Sequence, residues 1–169
     1  MSAYDQHQRA AEQIVARCAV LTLSDTRSAE TDTSGARIRA LLEADGHAIV
    51  NYQILSDDAG QLTAHLHTLL ARPEVDAVIT NGGTGISRRD TTVPTIERII
   101  EQPLPGFGEL FRMLSWEQIG SGAMLSRAVA GIVQGKLIFA LPGSTKAVEL
   151  AMTRLIVPEI RHLLRELRK

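Results

Sequence analysis

Asp57 and Asp90 are among the residues of this 169-residue chain whose type and setting offer chemistry. Each lies in a loop that follows an expected strand and leads to an expected helix. A carboxylate placed there caps the helix or holds a cation. Asp58 offers the same two roles as Asp57, and capping explains only one of the pair. Asp90 closes "NGGTGISRRD", Asn81 to Asp90. Gly82, Gly83 and Gly85 let that backbone turn sharply and present bare N–H groups to an anion, with Thr84 between them. Arg88 and Arg89 add cations that can hold phosphate, so a Mg2+ ligand and phosphate-binding groups share one loop. The bland alternative is a tight turn with a helix-terminal charge.

Two further loops leave strand ends with polar residues. "SDTRSAETDTSG" sets Ser24, Asp25 and Thr26 after the first strand, either to bind a polar ligand or to cap the turn. "PGSTKA", Pro142 to Ala147, places Lys146 in the first turn of a helix, where the helix dipole disfavours a cation. A bound anion or a nearby carboxylate resolves that conflict. The dinucleotide fingerprint fails because Arg88 stands where its third glycine belongs. The phosphate-loop motif fails because, around Gly135-Lys136, Ala130 stands where its first glycine belongs and Leu137 where its hydroxyl residue belongs.

These loops need a scaffold. Apolar strand-like runs alternate with segments of helical period, the pattern of parallel strands joined by crossover helices. Strands are expected at 18–23, 48–55, 75–80 and 136–141. Helices are expected at 34–44 with Ser34 as cap, after a cap at Ser56 or Asp57, from about Pro94 to Glu101, from Phe107 to about Ser115, and over 145–169 with a break near Pro158. The expected fold is a three-layer α/β/α sandwich on a mostly parallel sheet, whose ligands bind at the carboxyl ends of the strands. Residues 1–16 read as an N-terminal arm, 4–16 being either a short helix or loosely held, and 17–169 as one domain.

Eighteen Lys and Arg against nineteen Asp and Glu give a net charge of −1, so no global field draws in nucleic acid or an acidic membrane. With 4% aromatics, a base-stacking platform has little support. No apolar run approaches the roughly 20 residues of a membrane-spanning helix, and the polar start lacks a signal peptide's core. The expected location is the cytoplasm. Cys18, the only cysteine, excludes an internal disulfide or a multi-cysteine zinc site. His65 and His67, two residues apart, do not face one metal. Phe107, Phe111 and Trp116 read as core or subunit-contact residues.

"ITNGGTGISRRD", together with "LTLSD", "GFGELFRMLS", "LSRAVAGI" and "LPGSTKA" in that order, resembles the molybdenum-cofactor biosynthesis proteins of the MoaB and MogA type, also found as a domain of gephyrin. The resemblance runs from about Arg17 to the last helix and is closest to the MoaB branch. It implies a MogA-like fold that binds molybdopterin, a pterin-dithiolene with a terminal phosphate. Active relatives transfer AMP from Mg·ATP to that phosphate. Carried over by position, Asp57 and Asp90 hold Mg2+ and align ATP. Asn81–Gly85 contact the ligand through backbone groups, with Ser24, Asp25 and Arg89 nearby. Ser115, Pro142, Gly143, Ser144 and Lys146 fall on the pterin side. Asn81 stands where threonine is common, and "PGSTKA" replaces a glycine-x-proline-lysine form. Some MoaB-like proteins bind the pterin without adenylylating it, which keeps a non-catalytic carrier, or simple GTP or ATP binding, as alternatives. The resemblance also implies a homo-oligomer, a trimer or a hexamer of two trimers.

Overall fold

The computed structural model describes residues 11–169, so most of the expected arm lies outside the described residues. Six strands form one sheet: β1 Arg17–Leu23, β2 Ala48–Leu55, β3 Ala77–Asn81, β4 Gln102–Pro103, β5 Val129–Val133 and β6 Lys136–Leu141. Their order is β2-β1-β3-β6-β5-β4. The first four in that order run parallel, while β5 is antiparallel to both its neighbours.

β1, β3 and β6 are buried almost throughout, as their unbroken apolar runs require when both faces are covered. Val20, Ile79 and Phe139 face one helical layer, made by α1 Thr33–Ala44, α4 Pro105–Ile119, α5 Thr145–Ala151 and α6 Val157–Leu167. Ala19, Leu21, Val78 and Ile138 face the other, made by α2 Ala59–Leu70 and α3 Thr92–Ile99. The three-layer sandwich is therefore the observed fold.

Several boundaries differ from the sequence reading. Asp32, not Ser34, caps α1, its carboxylate accepting from the Gly35 N–H at 3.0 Å. Asp58, rather than Ser56 or Asp57, caps α2. α4 runs on to Ile119 and a 3₁₀ turn continues it to Leu125. The break near Pro158 is a π turn at Met152–Ile156, immediately before α6. β4 and β5 were not expected: β5 is a short continuous strand with Gly131 at its centre, joined to β6 through Gln134 and Gly135, both at positive φ. Two such residues suit the tight hairpin turn that matches strand twist.

Candidate functional site

β1 pairs with β2 on one side and β3 on the other, so the chain order reverses there and opens a crevice at the strand carboxyl ends. The loops after β1, β3 and β6 meet in it. Gly82 lies at φ 98°, and a Cβ there would stand 2.2 Å from the Leu23 carbonyl oxygen, so only glycine fits. The Gly82 N–H donates to the Leu141 carbonyl at 3.0 Å. A Cβ on Gly143 would lie 3.1 Å from Gly82 Cα. All three loops thus close on one point.

One side of this point is acidic. The Asp57 N–H donates to Asp25 Oδ1 at 3.1 Å, and Arg89 pairs with the other Asp25 oxygen. With Asp58 accepting from the Gln61 N–H at 2.7 Å, Asp57 is released from capping. Its Oδ1 is buried without a hydrogen-bond partner, 3.1 Å from where a Gly83 Cβ would sit. Burial, then the Asp25 and Asp90 charges, push the Asp57 carboxyl above the usual carboxylate range. Asp90 is its opposite. The Ser87 side chain and backbone hold its carboxyl below that range, with the Ser87 N–H donating at 2.8 Å. Arg127 helps, and its guanidinium also donates to the Gly85 carbonyl at 3.0 Å.

Among the described residues no group of three His, Cys, Asp or Glu stands close enough to hold a metal. Mg2+ commonly takes only one or two carboxylates, filling its remaining positions with water and substrate phosphate. An orphaned, buried carboxylate oxygen on Asp57 fits that use.

The other side is a groove of about 450 Å3 lined by Ser115, Pro142, Ser144 and Lys146 with Ile119 and Leu125. Ser144 caps α5, accepting from the Ala147 N–H at 3.2 Å. Ser115 is buried and donates to the Phe111 carbonyl at 2.7 Å, which leaves its lone pairs to face a ligand. Lys146 stands exposed. Phe111 is core and Phe107 packs edge-on against Phe139, whereas Trp116 is 61% exposed.

Not every expected residue faces the crevice. Ser24 accepts from the Thr26 and Arg27 N–H groups, each at 3.2 Å, which is the turn-capping role. Asn81 is wholly buried and donates to Thr22 Oγ1 at 2.9 Å, while Thr22 donates to Asp32 at 2.5 Å. Thr84 is also buried. Sequence reasoning missed Arg27, Asp32 and Arg127, although all three lie inside motifs it singled out.

A glycine-lined crevice at a chain reversal, with carboxylates on one flank and a hydroxyl- and lysine-lined groove on the other, places this chain among the open-sheet α/β proteins, whose ligands bind at that point. Sequence comparison is more specific. Residues 19–162 match the family described as a probable molybdopterin binding domain. The molybdenum cofactor biosynthesis protein B of Halalkalibacterium halodurans is 51% identical over 98% of this chain and 97% of its own length. That of Bacillus subtilis is 48% identical over 97% of this chain and 96% of its own. The crystal structure of the tungsten cofactor synthesizing protein MoaB from Pyrococcus furiosus superposes with a TM-score of 0.83 at 34% identity, covering 92% of this chain and 98% of its own. The chain belongs to the MoaB and MogA family of molybdenum-cofactor biosynthesis proteins.

Proposed function

We propose that this protein binds molybdopterin in the Ser115–Lys146 groove and adenylylates its terminal phosphate with Mg·ATP bound on the carboxylate side. The observation that carries this reading is the meeting of Gly82 and Gly143, which sets the two flanks side by side. In the reaction an oxygen of the pterin phosphate attacks the α-phosphorus of ATP. A new P–O bond forms, the bond from the α-phosphorus to the β-bridging oxygen breaks, and pyrophosphate leaves. Such chemistry is mostly positioning and charge neutralisation.

Asp57 and Asp90 would hold Mg2+, which when bound neutralises the nucleotide phosphates. Asp90, fixed by Ser87, is the preorganised member. Asp57 contributes an oxygen with no competing donor. Backbone N–H groups of Gly83 and Thr84, beyond the Gly82 N–H that is held by Leu141, would face the phosphates, and Lys146 with Ser144 receives the pterin phosphate. Arg89 exchanges Asp25 for a nucleotide phosphate. Purified protein incubated with molybdopterin and Mg·ATP is expected to release adenylylated product. Asp90→Asn forming as much product as wild type would sink the enzymatic reading.

A non-catalytic carrier is the second reading, and the Arg89–Asp25 pair favours it, since a guanidinium already neutralises one of the three carboxylates. Pterin binding with no product above the Asp90→Asn level would select it. Leu110, Met113, Trp116 and Ile119 form an exposed apolar stripe on α4. Large apolar patches of this kind mark contact surfaces, which supports a trimer or a hexamer of two trimers. Light scattering that reports a monomer at micromolar concentration would refute the assembly. No described helix is long and apolar enough to cross a membrane.

A further inference from the structure

Arg27 ties the loop after β1 to the loop after β6. Its guanidinium donates to Asp32 Oδ1 at 3.3 Å, to Ser34 Oγ, and to the Gly143 carbonyl at 2.9 Å. Ser34 Oγ donates to the same carbonyl at 3.0 Å. Gly143 thus receives two donors from a loop and helix more than a hundred residues away in sequence.

The anchor of this clamp is Asp32, 1% exposed. Burial acts to raise its pKa, but hydrogen bonds from Thr22, Gly35 and Tyr52 and the Arg27 charge outweigh burial and keep the carboxylate ionised. A buried anion demands a paired cation, and among the described residues Arg27 supplies it. The planar fork of arginine can meet one acceptor with one nitrogen and a second with the other. Here the second acceptor is the peptide oxygen one residue before Ser144.

We propose that Arg27 is a positioning residue for the pterin phosphate: through the Gly143 carbonyl it fixes the turn that carries Ser144 and Lys146 into the groove. This rests on the molybdopterin reading above and assigns a residue that touches neither substrate. Its guanidinium reaches the pterin flank directly, through Gly143. The carboxylate flank shares its loop at Asp25, but Asp57 and Asp90 have their own partners in Asp25, Ser87 and Arg127.

The test compares wild type, Arg27→Ala and Arg27→Lys. Molybdopterin affinity is read from the fluorescence of Trp116, the only tryptophan, which adjoins Ser115. Hydrogen exchange reports the amides of 144–147, and steady-state kinetics the KM values for pterin and ATP. Arg27→Ala is expected to speed exchange at 144–147 but not in β3 or β6. It should weaken molybdopterin about tenfold, the worth of one charge-assisted hydrogen bond. KM for ATP should change by no more than about twofold, since Asp25 keeps its own bonds to Asp57 and Arg89. Arg27→Lys, with charge but no fork, should recover part of the loss. Wild type that binds molybdopterin, with Arg27→Ala binding it equally, overturns this inference alone. Equal losses for pterin and ATP, with faster exchange throughout the sheet, overturn it in favour of a general folding role. Wild type that binds no molybdopterin overturns both the pterin reading and the assignment that rests on it.

Discussion

The two ends of the sheet treat their polar groups in opposite ways. At the amino ends of β1, β3 and β6, polar groups are paired. Asp76 accepts from the Arg17 N–H and guanidinium at 2.9 Å and from Arg168 at 3.0 Å, and Lys136 Nζ caps the carbonyls of Arg72 and Val75. His47, at the start of β2, accepts from the Ala16 N–H at 3.1 Å and lies beside Asp45 and Arg161. At the carboxyl ends, Ser56 Oγ, Asp57 Oδ1 and Asn81 Oδ1 are buried with no partner, three of five such atoms among the described residues; the other two, Arg39 Nε on α1 and Asn51 Oδ1 in the middle of β2, lie at neither end. Since nearly all buried polar atoms in native proteins are satisfied, the three exceptions gathered at the carboxyl ends agree with the site proposed there, while the amino ends hold the fold.

Substitutions can break this contrast. Asp57→Asn should cost on the order of 100-fold in adenylyl transfer, the usual effect of removing one preorganised charge contact. Its stability should stay level or rise. The Asp57 carboxyl is raised in the fold, so the ionised side chain opposes folding above the carboxylate range, and the amide removes that cost. A melting curve showing marked loss of stability would mean that Asp57 is structural and the two ends are alike. At the opposite end, Asp76→Ala strands the Arg17 N–H and frees two guanidinium groups, for a loss of about 2 kcal/mol. Chemical denaturation measures it, and molybdopterin binding should be unchanged below the unfolding transition.

The smallest expected effect concerns pH. Burial, and then Arg161, lower the pKa of His47 against the opposing pull of Asp45. A lowered histidine gives stability that is fully present above its ordinary range and is lost as pH falls through that range toward the native value. The melting temperature should therefore fall between about pH 7.5 and pH 5.5, on either side of the unperturbed histidine value. In His47→Gln that slope should flatten. An equal slope in both proteins would remove His47 from the paired end.

Local chemistry made much of the site legible. The glycine-rich loop, the "PGSTKA" turn and the aspartates at strand ends are short-range patterns, and the parallel core strands betray themselves by unbroken apolar runs. The antiparallel β5 escaped because Gly131 stands at the centre of its five residues and its partners lie on neighbouring strands rather than in its own pattern. The caps of α1 and α2 slipped because several adjacent residues could fill each role, and only the path of the backbone chooses between Asp57 and Asp58. Arg27 was invisible for a different reason: its meaning lies in Gly143, which no periodicity connects to it.

The sequence by itself determined the α/β class, the alternation of buried strands with amphipathic helices, and the family, because each is written in contiguous residues. Only the tertiary structure decided which carboxylate caps a helix and which is left unpaired, and that Asp32 anchors the clamp on Gly143. Those outcomes depend on burial and on hydrogen bonds between distant segments, and neither exists until the chain has closed around its sheet.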